Sequence, residues 1–267
     1  MTDLRSRPLV ILGAGYTGKF LYPLAKAHGW HTYATSRTPT SHLSHVVKHN
    51  RLFFDLAQSE SWKQIPTDAH LIWCFPALTQ EVAVNFLNTL SPNRGRLIML
   101  GSTSAYRTNQ PILVDEQTPV DFSLPRVQSE ESFRQEYGAV VLRLAGLYGP
   151  GRHVLDWIRK GKVPYTHKYV NLIHIEDVAE ICLAALEKAQ DGESFVVSDG
   201  IPRQWSEIFS VAANRWGMPS PSLSQPKNPG KRLSIKKLTT ILQHTFLHPD
   251  LYEALDQIEK CKIQTEK

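Results

Sequence analysis

Pro8-Leu9-Val10-Ile11-Leu12-Gly13-Ala14-Gly15-Tyr16-Thr17-Gly18 is the stretch on which the reading of this chain turns. Its apolar run is short and rich in β-branched residues, which suits a strand buried on both faces. Three glycines follow at once. A helical pattern, Phe20, Leu21, Leu24 and Ala25, then runs from about Thr17 to His28, and Gly29 stands just past its end, where a C-terminal glycine belongs. Each glycine has its own mechanical task. Gly13 permits the tight turn after the strand, Gly15 lets backbone approach a pyrophosphate, and Gly18 lets helix and strand pack closely. The helix N-terminus presents free N–H groups and positive partial charge to phosphates. The stretch therefore predicts a dinucleotide-binding turn at Gly13, Gly15, Tyr16, Thr17 and Gly18.

Outward from this turn, β-rich and helical runs alternate. Strands are expected at His31–Thr35, Leu52–Phe54, His70–Cys74, Arg96–Leu100, Ala139–Leu142 and Ser194–Val197. Helices are expected at Val82–Leu90, Ser129–Tyr137 and Glu176–Lys188. Alternation of this kind implies parallel pairing through right-handed crossovers, an α/β doubly wound sheet. Beyond Asp199 the pattern changes to helices separated by Pro- and Ser-rich turns. Residues 1–198 read as the nucleotide-binding domain, with 149–170 contributing to a substrate lobe, and 199–267 as a small, mainly helical C-terminal lobe.

The end of the second strand speaks to the cofactor. An enzyme for NAD usually places Asp or Glu there to hold the ribose 2′-hydroxyl. This chain has Ala34-Thr35-Ser36-Arg37-Thr38 and no acid. Arg37 can pair with a 2′-phosphate, and Ser36 and Thr38 can donate to it. NADP is favoured, although the same turn can take NAD.

The bulk numbers narrow the class. Of 267 residues, 42% are hydrophobic and 21% charged, the balance of a core-forming protein and not of a disordered chain. The net charge of +5 suits anionic ligands. Basic residues cluster only at Lys227, Lys231, Arg232, Lys236 and Lys237, which reads as a solvated surface and not as a nucleic-acid site. Cys74, Cys182 and Cys261 show neither disulfide nor zinc spacing. No apolar run can span a bilayer and no secretory signal precedes the first strand, so a cytoplasmic protein without a membrane partner is expected.

By the sixth strand the chain resembles the extended short-chain dehydrogenase/reductases, the NAD-dependent epimerase/dehydratase family. The glycine turn, Phe54-Asp55-Leu56, Gly101-Ser102-Thr103-Ser104-Ala105-Tyr106, Leu142-Arg143-Leu-Ala-Gly146-Leu147-Tyr148-Gly-Pro-Gly151 and Asn171-Leu-Ile-His174-Ile-Glu-Asp177-Val-Ala179 carry the likeness. It implies a Rossmann domain, an adenine contact by Asp55 and Leu56, and a nicotinamide-side turn at Gly146 and Leu147. It also implies that Ser102 is the active-site hydroxyl, bonding a substrate oxygen while hydride moves. Phe75 and Pro76 leave their strand beside the cofactor by the logic of the fold. Dimers formed through two helices are common among proteins of this kind, so a homodimer is compatible with the likeness.

One departure matters. The family carries Tyr-x-x-x-Lys on the helix before strand six, where the lysine lowers the tyrosine pKa for proton transfer. With Glu130 placed as the family's helix acid, the corresponding positions are Phe122 and Arg126, with Pro125 between them. Phenylalanine transfers no proton. Tyr106, Tyr148 and His153 are the candidate replacements, Arg126 and Arg152 are candidate anion contacts, and His174 and Asp177 read as structural, with Asp177 capping the helix that starts there. Two readings stay open. One is an atypical NADP(H)-dependent oxidoreductase or epimerase for a small polar substrate. The other is a non-catalytic NADP(H)-binding redox sensor or regulatory protein.

Overall fold

The computed structural model describes residues 4–77, 80–90, 92, 94–107, 112–219 and 221–265, with 262–265 as backbone only. Leu9–Leu12 forms β1, and all four residues are buried. Alternate side chains serve different layers. Leu9 and Ile11 join the core on one face of the sheet, and Val10 and Leu12 join the core on the other. Fully burying one such side chain stabilises the fold by about 1.5–3 kcal/mol, which is why the run carries no polar residue.

Six further strands complete the sheet: β2 (Thr32–Ser36), β3 (Arg51–Phe53), β4 (His70–Trp73), β5 (Leu97–Ser102), β6 (Val140–Leu144) and β7 (Ser194–Val197). Their order is β7-β6-β5-β4-β1-β2-β3, and all pairs are parallel. β1 lies between β2 and β4, with Leu9 opposite Thr32 on one side and His70 on the other. Strand order reverses there, which opens a crevice at the carboxyl ends of the strands.

Helices α1 (Tyr16–Ala27), α2 (Gln80–Thr89), α3 (Pro125–Glu136) and α4 (Ile175–Lys188) cover the sheet. Leu21 and Ala25 of α1 pack with Val178 and Ile181 of α4 on one face. Phe86 of α2 and Phe133 of α3 fill the other. α1 ends as its glycine requires: Gly29 has φ +82°, and its N–H reaches the Lys26 carbonyl. It also continues through Pro23, whose ring removes one interior N–H.

Beyond β7, α5 (Trp205–Trp216) and α6 (Leu251–Thr265) build a third core with the short helix Val154–Arg159, in which Tyr148, Leu155, Phe209 and Leu255 are buried together. The tail between α5 and α6 turns back to the sheet, where Leu233, Leu238 and Leu242 join the first core. Arg232–Leu233 pairs in parallel with Leu113–Val114. That return brings the basic segment beside the carboxyl end of β5. Among the described residues no helix is long and apolar enough to cross a membrane, and Cys74, Cys182 and Cys261 form no disulfide there.

Candidate dinucleotide site

Gly13 has φ +75°, a conformation L side chains avoid. The turn it allows is fastened to β2: Gly13 N–H donates to Thr35 Oγ1 at 2.8 Å and Ala14 N–H to the Thr35 carbonyl at 2.9 Å. The other two glycines separate cleanly by task. A Cβ built at Gly18 would stand 2.7 Å from Ala14 Cβ, so a hydrogen there lets the helix and strand close. At Gly15 a Cβ would meet nothing nearer than the Gly13 carbonyl oxygen at 4.0 Å. The space over Gly15 is open, as backbone approach by a pyrophosphate needs.

A cavity of about 670 Å³ lies against this turn, and Gly13, Gly15, Ser36, Arg37, Asp55, Leu56 and Phe75 all line it. Phe75 leans on Gly13, its Cδ1 being 2.5 Å from where a Cβ would stand. Ser36 Oγ accepts from Thr38 N–H at 3.0 Å and lies 2.9 Å from His42 Nδ1, so His42 is a wall of the cavity that the sequence did not single out. Arg37 is exposed and makes no ion pair among the described residues. The Asp55 carboxylate accepts from Ala57 N–H and Gln58 Nε2, each at 3.0 Å. Thr17 and Gly18 are buried within α1, Pro76 and Gly146 are exposed and Leu147 is half-buried; none of these lines the cavity. Tyr16 does not line it either; its ring lies under the Arg152 guanidinium at 5.3 Å, and burial pushes its hydroxyl up to about 12. Arg152, exposed after the glycine-rich turn, thereby has an aromatic ring beneath its guanidinium.

At the other end of the crevice β5 delivers Ser102. Its Oγ accepts from Ser104 N–H at 3.2 Å and lies 2.9 Å from Ser104 Oγ. Arg126 donates to Ser104 Oγ at 2.8 Å and to Glu130 Oε1 at 3.1 Å. Lys231, read as surface from sequence, is half-buried instead, and its Nζ donates to the Thr103 carbonyl at 2.6 Å and to the Tyr106 carbonyl. Burial, then the neighbouring Lys168 and Arg126, lower the Lys231 pKa to about 8. No residue spacing in the sequence signals this arrangement, because the partners are 128 positions apart.

The helix expected from Ser129 starts at Pro125, whose fixed φ suits a first helical position. Phe122 therefore lies ahead of the helix, 55% exposed, and does not share a helical face with Arg126. Glu130 sits over Gly101, where a Cβ would be 2.9 Å away. Burial pushes the Glu130 carboxyl up, against the pull of Arg126 and Arg143. Burial also opposes ionisation of Glu131, but Arg134 and Arg143 outweigh it and hold that carboxyl down.

The three candidate proton donors are all inside the protein. Tyr106 is 1% exposed, and its hydroxyl accepts from the buried Arg143 at 3.1 Å. Tyr148 is wholly buried beside His174, with no hydrogen-bond partner for its hydroxyl among the described residues. His153 caps the helix Val154–Arg159, accepting from Leu155 N–H at 3.1 Å. One expectation is corrected at α4. The side chain that caps it is His174, accepting from Glu176 N–H at 3.3 Å. Asp177, three residues past the cap position, instead accepts from Leu247 N–H, His248 N–H and His244 Nε2 at 2.7, 3.1 and 2.9 Å.

A doubly wound sheet with a glycine turn and a cavity at its switch point defines a dinucleotide-binding domain of the short-chain dehydrogenase/reductase kind. Residues 9–198 match the NAD dependent epimerase/dehydratase family, and the chain belongs to it. Protein YeeZ of Escherichia coli K12 is 25% identical over 162 residues, a match that spans 58% of this chain and 59% of YeeZ. A putative NAD-dependent epimerase/dehydratase from Methylobacillus flagellatus superposes with a TM-score of 0.79 at 22% identity, covering 96% of this chain and 98% of that one. A short-chain dehydrogenase/reductase superfamily protein from Agrobacterium tumefaciens, solved with bound NAD, also gives 0.79, at 13% identity, over 97% and 98% of the two chains. Identities this low establish a shared fold.

Proposed function

We propose that the chain binds NADP(H) and uses it as an oxidoreductase or epimerase on a small polar substrate. The observation that carries this reading is Arg37, exposed on the wall of the glycine-turn cavity without a counter-ion among the described residues, at the end of a β2 strand that carries no acid to hold a 2′-hydroxyl. Gly13, Gly15 and Phe75 would hold the pyrophosphate side, Asp55 and Leu56 the adenine, and Gly146 and Leu147 the nicotinamide side. When bound, the cofactor supplies or accepts hydride. Ser102 orients the reacting oxygen, and Arg126 and Lys231 bring positive charge to the same loop, which suits a substrate with an anionic group.

The second reading, an NADP(H)-binding sensor without turnover, is favoured by Phe122. It is exposed and off the helix, so no tyrosine–lysine relay can be assembled there. The test is a fluorescence titration with NADPH and NADH. Arg37→Ala is expected to weaken NADPH about 10–100-fold, the worth of one charge-assisted contact, and to leave NADH nearly unchanged. Equal loss for both would remove Arg37 as the phosphate reader. An Arg37→Ala effect followed by failure of a broad carbonyl and nucleotide-sugar screen would favour the sensor.

A further inference from the structure

We propose that His174, Glu176 and His248 form a binding site for a divalent first-row transition metal ion such as Zn²⁺. One ligand atom from each residue can be chosen so that all three lie within 4.8 Å of one another. His248 Nε2 is 2.7 Å from Glu176 Oε2, and the same carboxylate oxygen is 3.9 Å from His174 Nδ1, whose lone pair would pass from the capping Glu176 N–H to the metal. The two imidazole rings face each other with centroids 3.6 Å apart, tilted by 39°. The close His248–Glu176 contact can give way to a dication of the right softness.

The three residues are held by separate contacts, so that only the long His174 cap bond has to give way to a metal. His174 ends the strand Leu172–His174 and is 2% exposed. Glu176 stands in the first turn of α4. His248 comes from the tail, 72 positions from Glu176, and is set in place by the Leu247 and His248 backbone bonds to Asp177. The Asp177 carboxylate thus does for the His248 backbone what outer partners commonly do for metal ligands.

A second observation points the same way. A cavity of about 540 Å³ opens onto the cluster, and His153, Asp156 and Cys261 also line it. His153 is 3% exposed, and its Nε2 lies 3.4 Å from Glu259 Oε1 at the edge of this cavity. The site therefore has two nitrogens and one carboxylate, with room on the cavity side for water or a further donor. Imidazole with carboxylate selects zinc, cobalt, nickel or iron over magnesium and calcium, which prefer all-oxygen shells. Bound metal would tie the tail before α6 to the start of α4. The proposal is independent of the cofactor reading.

The experiment uses the full, untagged chain freed of metal with a chelator. Co²⁺ is titrated by visible absorption and Zn²⁺ by calorimetry and by displacement of Co²⁺. Saturable one-to-one binding is expected, with a d–d spectrum of nitrogen and oxygen ligation and no thiolate charge-transfer band. At free metal 100 times the dissociation constant, the unfolding equilibrium should fall about 100-fold. Glu176→Gln and His248→Ala should each weaken binding at least tenfold, and Cys261→Ser should not. Glu176 is 45% exposed in its side chain, so Glu176→Gln keeps the test sound if His248→Ala folds poorly. The chain has 11 histidines, so binding that is unsaturable, that survives both variants, or that is lost with Cys261→Ser overturns the site. Absence of Co²⁺ binding to the wild type does so as well.

Discussion

A methyl group added at Gly15 would meet nothing closer than 4.0 Å, whereas at Gly18 it would stand 2.7 Å from Ala14 Cβ. Ala14 is rigidly attached to the turn, so Gly18→Ala must push α1 from β1. Overpacking of that kind costs about 1–3 kcal/mol, offset by up to about 1 kcal/mol of helix propensity. Gly18→Ala should therefore lower the denaturation midpoint, while Gly15→Ala should leave it nearly unchanged and weaken NADPH about tenfold or more by blocking backbone approach. Denaturant unfolding beside NADPH titration checks both. Lys231 supplies a pH effect. Its pKa is lowered from 10.5 to about 8, so between those values the folded chain has released a proton that the unfolded chain keeps. Stability from this group then rises with pH across the window, and its positive charge fades as pH climbs through about 8. Dimethyl-lysine NMR should show one resonance titrating near 8 that Lys231→Met removes, and the wild type should gain stability over Lys231→Met from pH 8 towards 10.5. A midpoint near 10.5 would contradict the burial. Ser36, Arg37 and Phe75 were legible because strand ends and glycine turns are written in contiguous residues. Lys231 and His42 were not, because tertiary return alone brings them to the site.

Elements were legible wherever burial is two-sided. β1, β4 and β7 follow continuous apolar runs, since a parallel strand covered on both faces admits little else. The misjudged element is α3, whose polar sequence carries no strong apolar stripe and whose start is set by one proline. Pattern placed it at Ser129; Pro125 starts it four residues sooner. That shift decides the fate of a reconstruction. Phe122→Tyr with Arg126→Lys would restore the family residues but put the tyrosine in the turn before the helix, where residue 122 is 55% exposed. Arg126 meanwhile bridges Ser104 and Glu130. The double variant should gain no carbonyl reductase activity with NADPH, and loss of the Arg126 fork beside the buried Glu130 should lower stability by about 1–3 kcal/mol, limited because lysine keeps the charge. Appearance of turnover would mean that the segment before α3 closes over the site in solution.

At the scale of the whole molecule, the order β7-β6-β5-β4-β1-β2-β3 follows from alternating elements and right-handed crossovers, so the sheet could be foreseen. How the third core is joined to it could not, because the join is polar and made of distant groups. Asp177 is fully buried on α4 and accepts from three donors of the segment leading to α6: His244 Nε2, Leu247 N–H and His248 N–H. Hydrogen bonds to a charged group contribute about 1.5–3 kcal/mol each at most, and removing one side of a buried charged set commonly costs about 3–5 kcal/mol in all. Asp177→Ala should therefore destabilise the chain by about 3 kcal/mol or more. The loss should also be local before it is global. Hydrogen exchange in the variant, compared with wild type, should quicken first across residues 244–258, while the amides of β1 and β4 keep their protection, because those strands retain their own packing in the two sheet cores when the tail is released. Uniform loss of protection throughout the sheet would show instead that the tail is an integral part of the first core, as the packing of Leu238 and Leu242 there already makes it for residues 233–242.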